Sequence, residues 1–371
     1  MHKKTEHSID IREMCSLPFA FDRNRVWRVY QGGKLIDALQ HKQHPADSNF
    51  PEEWIASSVK ACNPQRGGMT EGISGAILDG ELFSFQELVN QYPEELLGRR
   101  HISSFGRNTA FLTKLLDSAI RLPIQAHPDP AAARRFYHSA FGKTEAWIIL
   151  GTRKIDGEEP YLMLGFNELL NRDTFKAEAI SGNMPKSLQM LHKHPVKPGD
   201  VLMINGGTPH AIGPGVFLLE IMEPTDFVVQ PELFCGEQKL TDKDRFGNLS
   251  PEQALNVFHL KSTNRKDVWN DALITPSILH DDENATLTML IDRSKAKFFG
   301  AMKLSIKKSW HYINDESIFY AGIVLSGSMI IATNSKKLHL KKSDTFFMPS
   351  SVKKSEFSGN AEIIFACPPM I

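Results

Sequence analysis

At 371 residues the chain is long for one ordinary domain and predicts two or three. Hydrophobic residues at 41% and charged residues at 23% describe a folded chain and exclude an intrinsically disordered one. The 43 Lys and Arg balance 43 Asp and Glu, which argues against a nucleic-acid partner held by bulk charge.

The first residues, with Lys3, Lys4, Glu6 and Asp10, lack the apolar stretch of a signal peptide. Ser84-Phe-Gln-Glu87 is a capping box that opens a short helix toward Leu88 and Val89, with Pro93 interrupting before Glu94–Leu97. Residues 167–194 carry apolar positions at helix-like spacing and predict a helical insertion, with His192 and His194 exposed at its end. Strand-like text recurs at Val201–Asn205, Val216–Met222, Gly322–Ala332 and Ala361–Ala366, bounded by Gly, Pro, Asn and Ser. Ser250-Pro-Glu-Gln253 is a second capping box, with proline at the first helical position and Leu255 and Phe258 following. Residues 196–212 and 340–352 echo one another, each placing a turn and an Asp before a short apolar strand. The expected fold is mainly β: an N-terminal β domain over 1–240, a helical linker over 241–292 and a C-terminal β domain over 293–371. From Arg293 onward 12 Lys or Arg face 5 Asp or Glu, which suits either an anion-attracting patch or a solvated sheet with protected edges. Apolar runs such as Trp147–Leu150 fall far short of the roughly 18 residues of a membrane span. Cys15, Cys62, Cys235 and Cys367 form no CxxC pair and suit reduced thiols, so a cytoplasmic protein without membrane or nucleic-acid partners is expected.

The stretch Leu122–Asp129, followed by Gly142–Trp147, carries the chemistry. In a strand Gln125 and His127 are two apart and share a face. Glu145 opens a second strand, and His210 lies in the Gly206–Ala211 turn ahead of a third. An amide oxygen, two imidazoles and a carboxylate then converge inside one barrel. Around a divalent ion this donor set leaves a net charge of plus one and open positions for water or substrate, as a catalytic site requires. Each histidine alone is equally a hydrogen-bonded structural residue. The joint pattern separates the two readings.

That pattern resembles type I phosphomannose isomerase, a zinc-dependent family with the cupin fold. Gln125-Ala-His-Pro-Asp129, Gly142–Trp147 and Gly207–Ala211 are similar to the family's Q-x-H-P-D, G-K-T-E-x-W and G-T-x-H-A elements. Arg28–Gly33, Pro51–Trp54, Phe111–Asp117 and Leu219–Asp226 are similar to further family elements, so the likeness runs over roughly residues 24 to 260. It implies two cupin-type jelly-roll barrels, the second degenerate and metal-free, and one divalent ion, zinc, on Gln125, His127, Glu145 and His210. It further implies that mannose 6-phosphate and fructose 6-phosphate are interconverted through a cis-enediol. Lys143 matches the lysine before the glutamate ligand and is a candidate for orienting the sugar or sharing proton transfer, or else a hydrated turn lysine. Asp129 either orients an imidazole, placing it at the substrate site, or caps a turn after Pro128.

Two departures bear on the substrate. Gln230 stands where family members carry an arginine for the anionic substrate, and Arg245, similar to a later arginine of bacterial members, is the candidate to compensate. Pro123 stands where many members have a serine, and proline has no donor to offer a phosphate. The small-molecule partner is therefore a sugar or a sugar phosphate. The alternatives are an isomerase of an unphosphorylated or different sugar, a non-catalytic metal-containing sugar-binding cupin, and a cupin oxygenase, which a Gln ligand fits poorly. The sequence gives no oligomeric state.

Overall fold

The computed structural model describes residues 10–67 and 69–371. It is mainly β. A seven-stranded antiparallel sheet runs in the order Leu273–Ile274, Val201–Ile204, Glu145–Thr152, Val216–Met222, Leu112–Asp117, Glu52–Ile55 and Arg25–Val26. A three-stranded sheet of His210–Ile212, Tyr161–Phe166 and Leu191–Pro195 faces it. Between them packs a core with Trp147, Ile149, Leu202 and Leu218 from the larger sheet and Leu162, Leu164 and Ile212 from the smaller. The opposite face of the seven-stranded sheet is also covered. Leu115, Ile148, Leu219 and Ile221 pack there with Phe19, Phe85, Phe319, Phe347 and Ile364. Covering on both faces explains why Leu112–Asp117 and Val216–Met222 are buried at every residue and lack in–out alternation.

The covering layer is an eleven-stranded sheet. Its main path runs Ser277–Asp281, Ala285–Ile291, Gly300–Ile306, Lys354–Cys367, Tyr320–Ala332, Thr345–Met348, Phe19–Phe21, Gly75–Leu78 and Glu81–Ser84. Ser309–Ile313 and Lys337–Lys341 branch from it. Its second face closes over a core drawn from its own strands, including Leu304, Val324, Ile331, Phe346, Phe357 and Ile363. The expected division of the chain at residues 240 and 293 is not where the sheets divide. Phe19–Phe21, Gly75–Leu78 and Glu81–Ser84 pair into the C-terminal sheet, and 277–291 belong to that sheet although a helical linker was expected there. Helices do fill the first part of that segment, at Asp242–Phe246, Pro251–Leu255 and Arg265–Ala272.

Both capping boxes mark helix starts. Ser84 accepts from the Glu87 amide ahead of Phe85–Gln91, and Ser250 and Gln253 cap each other ahead of Pro251–Leu255. The insertion is helical over Arg172–Ser181 and Pro185–Gln189 only. Residues Leu191–Pro195 form a strand instead, and His192 and His194 are buried, not exposed. His194 stacks on Trp269 with ring centroids 4.8 Å apart, so the helix Arg265–Ala272 supplies the surface that covers it.

Candidate metal and substrate site

Two backbone pairings set the geometry. Gln125 and His210 exchange both amide hydrogen bonds, at 2.8 and 2.9 Å, which puts their side chains side by side. The turn before His210 is closed by the Gly207 amide, which donates to the His127 carbonyl at 2.7 Å. Gly207 has φ +85°, and a Cβ at Gly206 would lie 2.6 Å from the Asp129 Cα, so glycine is required at both positions.

His127, Glu145 and His210 are buried, and their ligand atoms all lie within 4.8 Å of one another. The Nδ1 of His127 meets the Phe227 carbonyl at 2.7 Å, and that of His210 meets the Thr208 carbonyl at 2.9 Å. A carbonyl only accepts, so each Nδ1 carries the proton and each Nε2 presents a lone pair. Both Nε2 atoms are buried without a hydrogen-bond partner. That of His127 lies 2.9 Å from a Glu145 carboxylate oxygen, outside hydrogen-bonding geometry, and that of His210 lies 3.9 Å from the other. Two lone pairs and a carboxylate turned on one point repel unless a cation sits among them. Burial holds both imidazoles neutral, His210 being pushed down to about 3 by burial and by His127. Burial also opposes the Glu145 charge, but the Lys143 ammonium 3.2 Å away favours it, and the carboxyl is held well below its usual range. Orphaned imidazole nitrogens, an ionised carboxylate and an adjacent amide are a donor set that fits a divalent metal ion.

The His127, Glu145 and His210 cluster opens on a cavity of about 810 Å³. Its floor is a cross-strand pair, Glu220 opposite Lys114, on the two strands that continue the Glu145 strand. Lys114 Nζ lies 3.2 Å from Glu52 and 3.3 Å from Glu220. Burial, then the Glu145 charge, raises the Glu220 carboxyl to about 8. Glu52 accepts from Tyr30, Trp54 and Arg28, and Arg28 also grips Asp226 through two bonds of 3.1 Å. The turn ahead of Glu145 is clamped from the same segment: the Glu223 carboxylate accepts from the Gly142 and Thr144 amides. These residues carried a signal in the sequence. Lys114 and Glu220 each interrupt a continuous apolar strand, and a charge on a strand buried on both faces needs a partner.

The other candidates scatter. Lys143 is buried, lines the cavity and lies 3.2 Å from Glu145, so the hydrated turn lysine is not what the fold builds. Gln230 lines the cavity, with its Nε2 donating to the Asp244 carbonyl at 3.0 Å. Asp129 caps the turn at Ala132 through one oxygen and meets His259 through the other, at 3.1 Å, so it takes the capping role. Arg245 is not brought into the cavity. Its guanidinium is buried against the carbonyls of Pro231, Ala179 and Ile180 and pairs with Asp242.

The fold and this centre define a β protein of the cupin type with a buried cluster of two histidines and one glutamate able to hold a metal ion. Residues 292–368 match the family model of the mannose-6-phosphate isomerase cupin domain. A mannose-6-phosphate isomerase of Streptococcus mutans is 27% identical over 277 residues, covering 73% of this chain and 79% of that one. One from Bacillus subtilis is 26% identical over 266 residues, covering 70% and 75%. Among solved structures, the Bacillus subtilis mannose 6-phosphate isomerase aligns over 94% of this chain and 99% of its own, with TM-score 0.70 and 20% identity. A zinc-bound mannose 6-phosphate isomerase aligns over 95% and 100%, with TM-score 0.69 and 14% identity. In sequence and in fold the chain resembles type I phosphomannose isomerase of the cupin superfamily.

Proposed function

We propose that this chain is a zinc-dependent aldose–ketose isomerase that interconverts mannose 6-phosphate and fructose 6-phosphate. The observation that carries the reading is the pair of orphaned imidazole nitrogens facing Glu145 beside the buried Lys114–Glu220 pair, in one cavity of sugar size. The isomerase names of the relatives, and the zinc in one structural neighbour, support it. Gln125, His127, Glu145 and His210 hold one ion, which when bound polarises the sugar oxygens and stabilises developing enediolate charge. Glu220 and Lys114 opposite it are the groups placed to move a proton between C2 and C1 through a cis-enediol, with the Glu220 carboxylate as the base. Lys143 stands beside Glu145 and orients a sugar oxygen. Among the described residues no helix is long and apolar enough to cross a membrane, and the four cysteines are free. Free thiols support a cytoplasmic setting.

The division of labour is likewise a proposal: the N-terminal β unit holds the metal, and the C-terminal unit serves as a metal-free cover. Among the described residues the single cluster of three metal-binding side chains lies in the N-terminal unit. A second reading has one observation in its favour. Gln230 is neutral and spends its donor on Asp244, which suits an unphosphorylated sugar. The test is a panel of aldose phosphates and free aldoses with zinc-reconstituted protein in deuterium oxide. Deuterium entering at C2 of mannose 6-phosphate supports the first reading. Exchange on free aldoses alone supports the second, and no exchange on any sugar leaves a binding protein.

A further inference from the structure

One turn supports both imidazoles of the buried cluster. The Thr208 carbonyl accepts from His210 Nδ1 at 2.9 Å, and the His127 carbonyl accepts from the Gly207 amide at 2.7 Å. The Thr208 amide closes the turn by donating to the Asn205 carbonyl at 3.1 Å. Whatever holds residues 205–208 in place therefore fixes the direction of the His210 lone pair and its position against His127.

A bonded pair of side chains grips that turn from two sides. A Cβ on Gly206 would lie 2.6 Å from the Asp129 Cα, and one on Gly207 would lie 2.4 Å from the His259 ring. The two glycines thus lie flat against Asp129 and His259. The His259 Nε2 donates to the Asp129 carboxylate at 3.1 Å, while the other Asp129 oxygen accepts from the Ala132 amide at 2.7 Å. The His259 amide donates to the Gly207 carbonyl at 2.8 Å. A circuit results: His127 leads along the chain to Asp129, Asp129 bonds His259, His259 bonds Gly207, and Gly207 bonds His127. Behind the clasp Phe258 is anchored in the core against Phe175, with ring centroids 5.2 Å apart. The His259 side chain is 58% exposed, and an exposed pair of this kind adds little to folding. Its effect falls on the turn it covers.

We propose that His259 is a positioning residue of the metal centre: clasped to Asp129 across Gly206 and Gly207, it holds the turn whose Thr208 carbonyl orients His210. This rests on the reading of Gln125, His127, Glu145 and His210 as the metal ligands and adds a residue beyond that set.

The experiment measures zinc affinity of the full chain by competition with a chelating dye, for wild type, His259→Ala and His259→Gln. His280→Ala serves as control, because His280 meets Asp282 at the same 3.1 Å on the C-terminal sheet, outside the cavity. His259→Ala is expected to bind zinc about tenfold more weakly, and its cobalt form to show altered visible bands as His210 turns. His259→Gln keeps an N–H donor near the Nε2 position and is expected to recover most of the affinity. Metal-free melting temperatures of all four proteins should agree within about 2 °C, since the pair is exposed. A zinc affinity of His259→Ala within about twofold of wild type overturns the proposal. So does a loss that His259→Gln shares in full, or one accompanied by a lower metal-free melting temperature, which marks a loosened fold. Wild type that binds neither zinc nor cobalt refutes the metal reading itself and the proposal with it, a result distinct from the others.

Discussion

The proposed metal site is a balance of two nitrogens and one carboxylate, and each can be removed without touching the core. Glu145 and His210 sit at the ends of their strands, and the apolar layers around them are complete. Glu145→Ala and His210→Ala are therefore expected to lose bound metal and turnover while keeping a cooperative melt. Elemental analysis showing wild-type metal in both variants would remove these residues from the site. Gln230→Arg tests the cavity wall. Gln230 is neutral and its amide donates to the Asp244 carbonyl, so an arginine there is expected to raise kcat/KM for mannose 6-phosphate about tenfold and to leave free mannose unchanged. A gain below about twofold would show that another group already holds the phosphate. The ligand residues were legible because Gln125 and His127 share a face at period two and Glu145 and His210 lie in motifs of their own. Lys114 and Glu220 each show as a charge in an apolar strand, but their pairing was not legible, because it depends on register between strands about 100 residues apart along the chain, at Leu112–Asp117 and Val216–Met222.

Among the elements, the strand Leu191–Pro195 shows how a short apolar–polar run misleads. Its Leu-His-Lys-His-Pro text follows two helical turns and continues their spacing, yet burial of His192 and His194 around exposed Lys193 is the alternation of a strand. The physical cause is the helix Arg265–Ala272, whose Trp269 covers His194 and whose Arg265 donates to the Lys193 carbonyl at 2.7 Å. No local signal announces a helix 70 residues downstream. Burial, then Arg265 and His192, push the His194 imidazole down to about 4 from an ordinary 6.5. The folded chain thus keeps His194 neutral where the unfolded chain takes a proton. Above pH 6.5 both states are neutral and the residue contributes nothing to the pH dependence. As pH falls from about 6.5 to about 4, the unfolded state binds more protons and stability drops, on the order of 1–3 kcal/mol. Urea melts of wild type at pH 7.5 and pH 5 should show this loss, and His194→Gln should flatten it. An unchanged pH dependence in that variant would mean that the imidazole titrates normally.

In the whole molecule the two β units are not beads on a linker. Phe19–Phe21 pairs with Thr345–Met348, Phe19 opposite Phe347, and passes the sheet on to Gly75–Leu78 and Glu81–Ser84. Phe19, Phe21, Phe85 and Phe347 then form one aromatic cluster, with centroids 5.1 to 6.4 Å apart. A three-residue strand carries too little periodicity to reveal its partner, which is why composition and turns placed residues 1–240 together. The C-terminal segment alone, residues 277–371, would keep its own core but expose Phe319, Ile323, Phe347 and Ile364, all of which face the N-terminal unit. At about 1.5–3 kcal/mol for each such side chain, the loss is on the order of 10 kcal/mol. That matches the whole stability of an ordinary domain. The fragment is expected to be aggregated or unfolded when expressed alone, and to be recovered as a folded complex when co-expressed with residues 10–274. Circular dichroism and size-exclusion chromatography distinguish these states. A monomeric fragment with a cooperative melt would show that the exchanged strands decorate the C-terminal unit and do not complete it.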